Sequence, residues 1–275
     1  MKHPQRLILI LGDQLDLQSS ALRDIDPKAD QIIMIESANE AQYVWTHKAK
    51  IALFLSAMRH FAVELEKQGY PLTYIKSSPL PIVEVLREQI LKNKVKHLVC
   101  IEPGEWRLKQ ALEALAKELG IELEMREDEH FYCSRQEFVE WAANKKEFRL
   151  EYFYRLMRKR HNVLLDGDGN PEGGQWNFDQ DNRKPYPKKG PGMMDPPAAF
   201  AVDDITKGVL DYVGSTYQDH PGSLDDFNWP VTREQALEAL ECFVEYRLRN
   251  FGTYQDAMWT ETPFGWHSIL SSSLN

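Results

Sequence analysis

Residues 6–15 read Arg6-Leu-Ile-Leu-Ile-Leu-Gly-Asp-Gln-Leu15, an apolar run that stops at Gly12-Asp13. Unbroken apolarity over so few residues marks a strand buried on both faces, as in a parallel sheet. Similar short runs follow at Gln31–Ile35, Leu72–Lys76, His97–Ile101 and Ile121–Met125, the last of them less apolar. Between them the period changes. Ile51, Phe54, Leu55, Met58, Phe61, Ala62 and Leu65 repeat at helical spacing, as do Leu108, Ala111, Leu112, Leu115 and Leu119 before Gly120, a residue suited to end a helix. Strands alternating with amphipathic helices give βαβ units. The expected fold class is therefore α/β, an open, mostly parallel sheet with helices on both faces.

The chain has 275 residues, 43% apolar and 27% charged, which predicts an ordinary globular protein of about two domains. No apolar run reaches the roughly 18–20 residues that cross a bilayer. Leu7–Leu11 is too short for a signal-peptide core even beside Lys2 and Arg6, so the expected location is cytoplasmic, with no membrane partner. The 33 basic and 42 acidic residues leave a net charge of −9, but residues 145–190 carry eleven basic and seven acidic side chains. That basic island is either an anion-binding surface or a solvated helix face followed by a basic loop. Cys100, Cys133 and Cys242 are scattered and form no C-x-x-C, so no metal site is expected from them; Cys100 sits in an apolar run and reads as a buried small residue.

After residue 130 the pattern turns helical. Ser134-Arg-Gln-Glu137 is a capping box, Tyr152–Leu165 is amphipathic, and residues 166–200, rich in Gly, Pro, Asn and Asp, form a long connection. A short helix is expected near Val202–Val213. A stronger one follows Thr232 and Gln235, with Leu237, Leu240, Val244 and Leu248 as its stripe. The expected organisation is an α/β domain over 1–130, a linker over 131–200, and an incomplete helical domain over 201–275.

Several stretches carry candidate chemistry. Gly12, Asp13, Gln14 and Leu15 follow the first strand, and ligands of open α/β sheets bind outside the carboxyl ends of strands. The run is not G-x-G-x-x-G, so a dinucleotide fingerprint is absent. Glu36 and Glu102 end two other strands and Glu105 lies just beyond, so parallel strands would gather these acids on one rim. Asp166-Gly-Asp-Gly-Asn170 opens like a calcium loop. Pro171 and Asn177 stand where that loop needs Gly and Glu, leaving an Asp/Gly turn. Trp176 and Phe178 lie in a polar loop and are expected to dock. Ser268 and Ser271 are three apart; a helix beginning there would offer hydroxyls and free N–H groups to an anion, or simply be rich in serine. Because the chain ends at Leu274-Asn275, within a turn of that start, and residues 200–275 alone would have a thin core, it is expected to be the N-terminal part of a longer protein or to have that domain completed by a partner.

Taken together, Leu11-Gly-Asp-Gln-Leu15, Lys48–Arg59, Phe153–Arg158, Gly173-Gly-Gln-Trp-Asn-Phe-Asp179 with Asn182-Arg-Lys-Pro185, Phe251–Met258, Pro263-Phe264 and His267-Ser268 resemble the photolyase/cryptochrome superfamily. They most resemble its iron–sulfur bacterial branch, the deoxyribodipyrimidine photolyase-related proteins, which include prokaryotic (6-4) photolyases. The resemblance implies an N-terminal antenna domain and a C-terminal helical FAD domain. It implies a ribityllumazine antenna held by Gly12, Asp13, Gln14, Leu15 and Glu36, with Ile51, Glu102 and Glu105 as further contacts. It aligns His267, Ser268, Leu270 and Ser271 with a run that holds FAD phosphates, and Tyr254 with a tyrosine that contacts FAD. Ile269 and Ser272 depart from that run, where arginine and proline are usual. The family's [4Fe-4S] cysteines and lesion pocket fall beyond residue 275, so the chain alone is expected to be inactive.

The function so implied is light-dependent repair of pyrimidine (6-4) photoproducts in damaged DNA by electron transfer from reduced FAD, in a flavoprotein lyase expected to be a monomer. The alternatives are a cryptochrome-type blue-light photosensor and a nucleotide-binding α/β module.

Overall fold

A computed structural model of the chain describes residues 4–273. Lys2 and the closing Leu274-Asn275 lie outside the described residues. Five strands, β1 (Arg6–Ile10), β2 (Gln31–Ser37), β3 (Leu72–Ser78), β4 (His97–Ile101) and β5 (Glu122–Arg126), form one sheet in the order β3-β2-β1-β4-β5. Every pair is parallel. The central strands are buried on both faces, as their composition demands, whereas β3 and β5 are edge strands and carry the more polar sequences.

Alternate side chains of each strand enter different layers. Leu7, Leu9, Ile33, Ile35, Leu98 and Cys100 pack on α3 (Ile82–Asn93) and α4 (Trp106–Leu119). Ile8, Ile10, Ile32, Met34, Val99 and Ile101 pack on Met58, Phe61, Ala62 and Leu65 of α2 (Lys48–Lys67). On that second face the β1–β2 crossover contains no helix. Residues 11–30 are turns, and Ala21 and Leu22 fill the space a helix would occupy. Gly120 closes α4 in the left-handed conformation, at φ +62°. The reading of strands and long helices holds, with α3 unanticipated; its leading Pro81 and its left-handed end at Lys94 are weaker signals than a Ser/Thr cap and a Gly.

The described chain divides into two compact units. The first comprises residues 4–127, 197–242 and 269–273; the second comprises 128–196 and 243–268. The segment 201–275, grouped as one helical domain in the sequence reading, is thus shared between them. In the first unit α7 (Asp204–Thr216) lays Val209 and Val213 against Ala49, Ile51, Ala52 and Leu53 of α2, joined by Tyr217, Phe227 and Val231. The same unit holds most of α8 (Arg233–Tyr246). Thr232 Oγ1 accepts from the Gln235 N–H at 3.3 Å, while Gln235 returns its bond to Val231, one residue before the position a capping box predicts.

In the second unit Ser134 and Glu137 form the expected reciprocal box at the start of α5 (Arg135–Ala142), and α6 (Leu150–His161) follows. The connection over 166–200 contains no helix or strand. Asp166 Oδ1 accepts from the backbone of Asp168 and Asn170, a turn and not a calcium loop. Trp176 docks as expected: Arg155, Arg158 and Lys159 lie 5.5, 5.0 and 5.4 Å from its ring centre. Much of the basic island is engaged internally, with Arg155 on Glu151 and Arg160 on Glu137.

Candidate functional site

The strand order reverses its direction of growth at β1, so the seam between β1 and β4 is the topological switch point, where α/β sheets hold ligands. Two segments leave the sheet there. Leu11–Gln14 turns at once, the Gln14 N–H donating to the Leu11 carbonyl at 3.1 Å. Glu102-Pro-Gly-Glu105 follows β4. The two meet: Gln14 Nε2 donates to the Glu102 carbonyl at 3.2 Å. A Cβ added at Gly104 would stand 3.9 Å from Asp13 Oδ2, an ordinary contact distance that puts this backbone beside that carboxylate.

Gln14 is 8% exposed and its Oε1 has no hydrogen-bond partner among the described residues. A buried orphaned acceptor costs about 1–3 kcal/mol, and such groups mark a missing donor. Around it, Lys109 Nζ reaches Glu102 at 2.5 Å. Arg107 bonds Glu105 at 2.7 Å and Glu40, in α1 (Ala38–Tyr43), at 2.5 Å, with its guanidinium 4.4 Å from the Tyr43 ring centre. Those two carboxylates hold the Arg107 pKa well above its ordinary value.

The rim acids do not act alike. Glu36 is 2% exposed and its carboxylate faces inward. It accepts from Arg59 at 2.8 and 3.0 Å, from Tyr74 Oη at 2.6 Å and from the Ser77 N–H at 3.1 Å. Burial opposes its charge, but these donors outweigh burial and leave the carboxyl below the ordinary range. Burial, then the Glu36 charge, pushes Tyr74 upward. The expected chromophore contact at Glu36 is thus the centre of an internal network tying β2 to α2 and β3. Ser77 presents its N–H to this network at φ +55°.

Two other expected contacts have packing reasons. Ile51 is 4% exposed in the layer against α7. At Gly12 an added Cβ would lie 2.9 Å from Met58 Sδ, so glycine there admits α2 as well as any ligand. Leu15 packs on the sheet's second layer. Asp13, Gln14, Glu102 and Glu105 are the expected residues that the fold brings together. Sequence reasoning missed Arg107, Lys109 and Glu40; their positions just past strand ends were the available signal.

The residues of the expected FAD run are divided between the two units. His267 and Ser268 belong to the second unit and Leu270 and Ser271 to the first. Ser271–Ser273 form a 3₁₀ turn at the end of the described residues. Tyr254, at the end of α9 (Leu248–Tyr254), has its ring stacked on Tyr186 of the connection, centroids 5.2 Å apart. His267 packs edge-on against Phe251. No cluster of His, Cys, Asp or Glu able to hold a metal occurs among the described residues, and none of their helices is long and apolar enough to cross a membrane.

Comparison with known proteins adds four findings. A sequence model of the deoxyribodipyrimidine photo-lyase-related protein family matches residues 8–229. A (6-4) photolyase of Agrobacterium fabrum is 41% identical over 276 residues, covering 98% of this chain and 54% of its own length. An uncharacterised protein of Acanthamoeba polyphaga mimivirus is 23% identical over 174 residues, covering 60% of this chain and 87% of its own. The crystal structure of a bacterial class III photolyase from Agrobacterium tumefaciens superposes with a TM-score of 0.56 at 14% identity, over all of this chain and 50% of that one; this likeness concerns the fold. The chain thus spans about half the length of the photolyases it matches.

Proposed function

Because the chain belongs to the deoxyribodipyrimidine photo-lyase-related protein family, we propose that it is the light-gathering portion of a photolyase-like flavoprotein that repairs (6-4) photoproducts in damaged DNA. In this reading the carboxyl rim of the sheet at the β1–β4 seam holds a ribityllumazine-type antenna. A chromophore bound there would absorb near-ultraviolet or blue light and pass its excitation to reduced FAD. Most of the FAD site, the iron–sulfur cluster and the lesion pocket would belong to the length that the matched photolyases have and this chain does not span, with Tyr254, His267, Ser268, Leu270 and Ser271 contributing the first FAD contacts. Residues 201–275 would lead into that helical domain, in a cytoplasmic, monomeric protein.

The observation that carries the reading is the orphaned, buried Gln14 Oε1 at the switch point. A lumazine ring offers an imide N–H between two carbonyls, which is the donor this acceptor lacks. Gln14 is held in place by its own bond to the Glu102 carbonyl, so it is oriented before a ligand arrives. Asp13 and the backbone of Gly104 stand at the same rim, and the Asp13 carboxylate can accept from a ribityl hydroxyl.

Ribityllumazine titrated into the chain should show quenched fluorescence and a shifted absorption band. Asp13→Ala and Gln14→Leu should each weaken binding at least about tenfold, the size of one lost buried hydrogen bond. Affinities unchanged in both variants, with their circular dichroism intact, would place the chromophore elsewhere.

A further inference from the structure

We infer that a cavity within the second unit is a binding site for a guanine base. The inference is independent of the antenna reading, which concerns the sheet of the first unit. Three observations carry it.

The first is a buried cation without a counter-ion. Arg158, on α6, is 7% exposed and lines a cavity of about 560 Å³, inside the roughly 300–1,000 Å³ range of small-molecule sites. Its Nε and Nη2 donate to the carbonyls of Val163 and Leu164. Two of a guanidinium's five N–H donors are thus used, which fixes the side chain; the other three meet no acceptor atom among the described residues. Buried donors left without acceptors are costly and mark a missing partner.

The second is a pair of carboxylates on the same cavity. Glu172 and Asp179 line it, and neither forms an ion pair among the described residues. Asp179 Oδ2 has a 3.5 Å contact with Asn177 Nδ2. Glu151, also in the lining, is already matched by Arg155 at 2.7 Å. A cation and two carboxylates therefore share one cavity without joining. An entering phosphate would be repelled by the two acids, and an organic cation by Arg158. The group that serves both is neutral, with acceptors on one edge and donors on the next.

The third is the aromatic wall. Tyr154, Trp176 and Phe178 complete this part of the lining. The Arg158 guanidinium lies 5.5 Å from the Tyr154 ring centre and 5.0 Å from that of Trp176. Phe178 stays part-exposed, an aromatic surface of the kind on which a flat base stacks. Among the common bases only guanine sets the acceptors O6 and N7 beside the donors N1–H and N2–H. The first pair is the usual partner of an arginine, and the second suits a carboxylate.

Equilibrium dialysis of the intact chain against guanosine and adenosine tests this. Guanosine should bind at least about tenfold tighter, the discrimination of one bidentate pair. The double variant Glu172→Gln/Asp179→Asn should bring the two nucleosides within about twofold, because an amide meets adenine as well as guanine. Thymine oligonucleotides carrying one dG or one dA identify the source. A dG strand that binds tighter than guanosine assigns the site to a base of single-stranded DNA; one that binds no tighter assigns it to free guanine nucleosides, and either result keeps the guanine assignment. Equal affinities for guanosine and adenosine would overturn it. So would no binding of guanosine, or an unchanged preference in a double variant that is folded by circular dichroism. Ribityllumazine binding is a separate measurement, so either reading can fail alone.

Discussion

The two units of this chain are built by different physics. In the first, the strands, α2, α3, α4 and α7 bury three contiguous apolar clusters. In the second, Phe243 is the one apolar side chain larger than glycine among the described residues that is buried. Its cohesion comes from polar and aromatic contacts. Arg158 is buried and donates to the carbonyls of Val163 and Leu164; Arg247 is buried and donates to those of Asp195 and Gly265. Phe138, Trp141, Phe148 and Phe153 cluster with centroids 4.9–6.4 Å apart, yet Phe138 and Phe148 are largely exposed. A close-packed core penalises any lost methylene. A unit held by directional contacts is sensitive mainly to loss of particular donors, acceptors and caps.

Three measurements sharpen this contrast or break it, the largest effect first. Leu98 is fully buried in the centre of the sheet, so Leu98→Ala should cost about 3–4 kcal/mol in urea unfolding. A loss below about 1 kcal/mol would show that the sheet does not carry the stability assigned to it.

Next is Glu36, a charge inside the well-packed unit. Its folded-state pKa is depressed, so its contribution is present above the ordinary carboxylate range, about pH 4–4.5, and is lost as pH falls through the lower folded value. Glu36→Gln leaves Arg59 without its carboxylate and should cost about 3 kcal/mol at neutral pH. The variant should also flatten the acid side of the stability profile. A native and a variant profile that run parallel between pH 6 and pH 3, as order-of-magnitude limits set by the carboxylate range, would remove Glu36 from this role.

The smallest effect belongs to the second unit. Ser134→Ala deletes one half of the box that starts α5 and should cost about 1 kcal/mol. The change should appear as faster amide exchange over residues 135–142 while the sheet stays protected. Uniform acceleration across the sheet as well would mean that the two units do not differ as described.

The contrast also sets what could be read in advance. The five strands, α2 and α4 were legible because burial imposes a period on the sequence, and Ser134-x-x-Glu137 was legible because a cap is local. The helix-free β1–β2 crossover was not legible, since Ala21 and Leu22 carry no period of their own and are buried only because the sheet lies beneath them. At the site, Asp13, Gln14, Glu102 and Glu105 followed from the rule that parallel strands bring their carboxyl ends together. Which acids face outward did not follow. Glu36 and Glu102 both follow apolar strand runs, yet one is enclosed by Arg59, Tyr74 and Ser77 and the other meets Lys109 at the rim.

The residues alone determined the α/β architecture, the run after β1 as a place for a ligand, and a family likeness that the comparisons support. Those properties are written in nearest neighbours and in periods of two and 3.6, which short-range sterics and burial impose. Only the tertiary structure decided that Gln14 is left with an unmet acceptor, that Arg107 is spoken for by Glu40 and Glu105, and that 197–242 joins the sheet's unit while 243–268 does not. Each of these depends on residues far apart in sequence whose meeting is fixed by strand order, and strand order has no local signature.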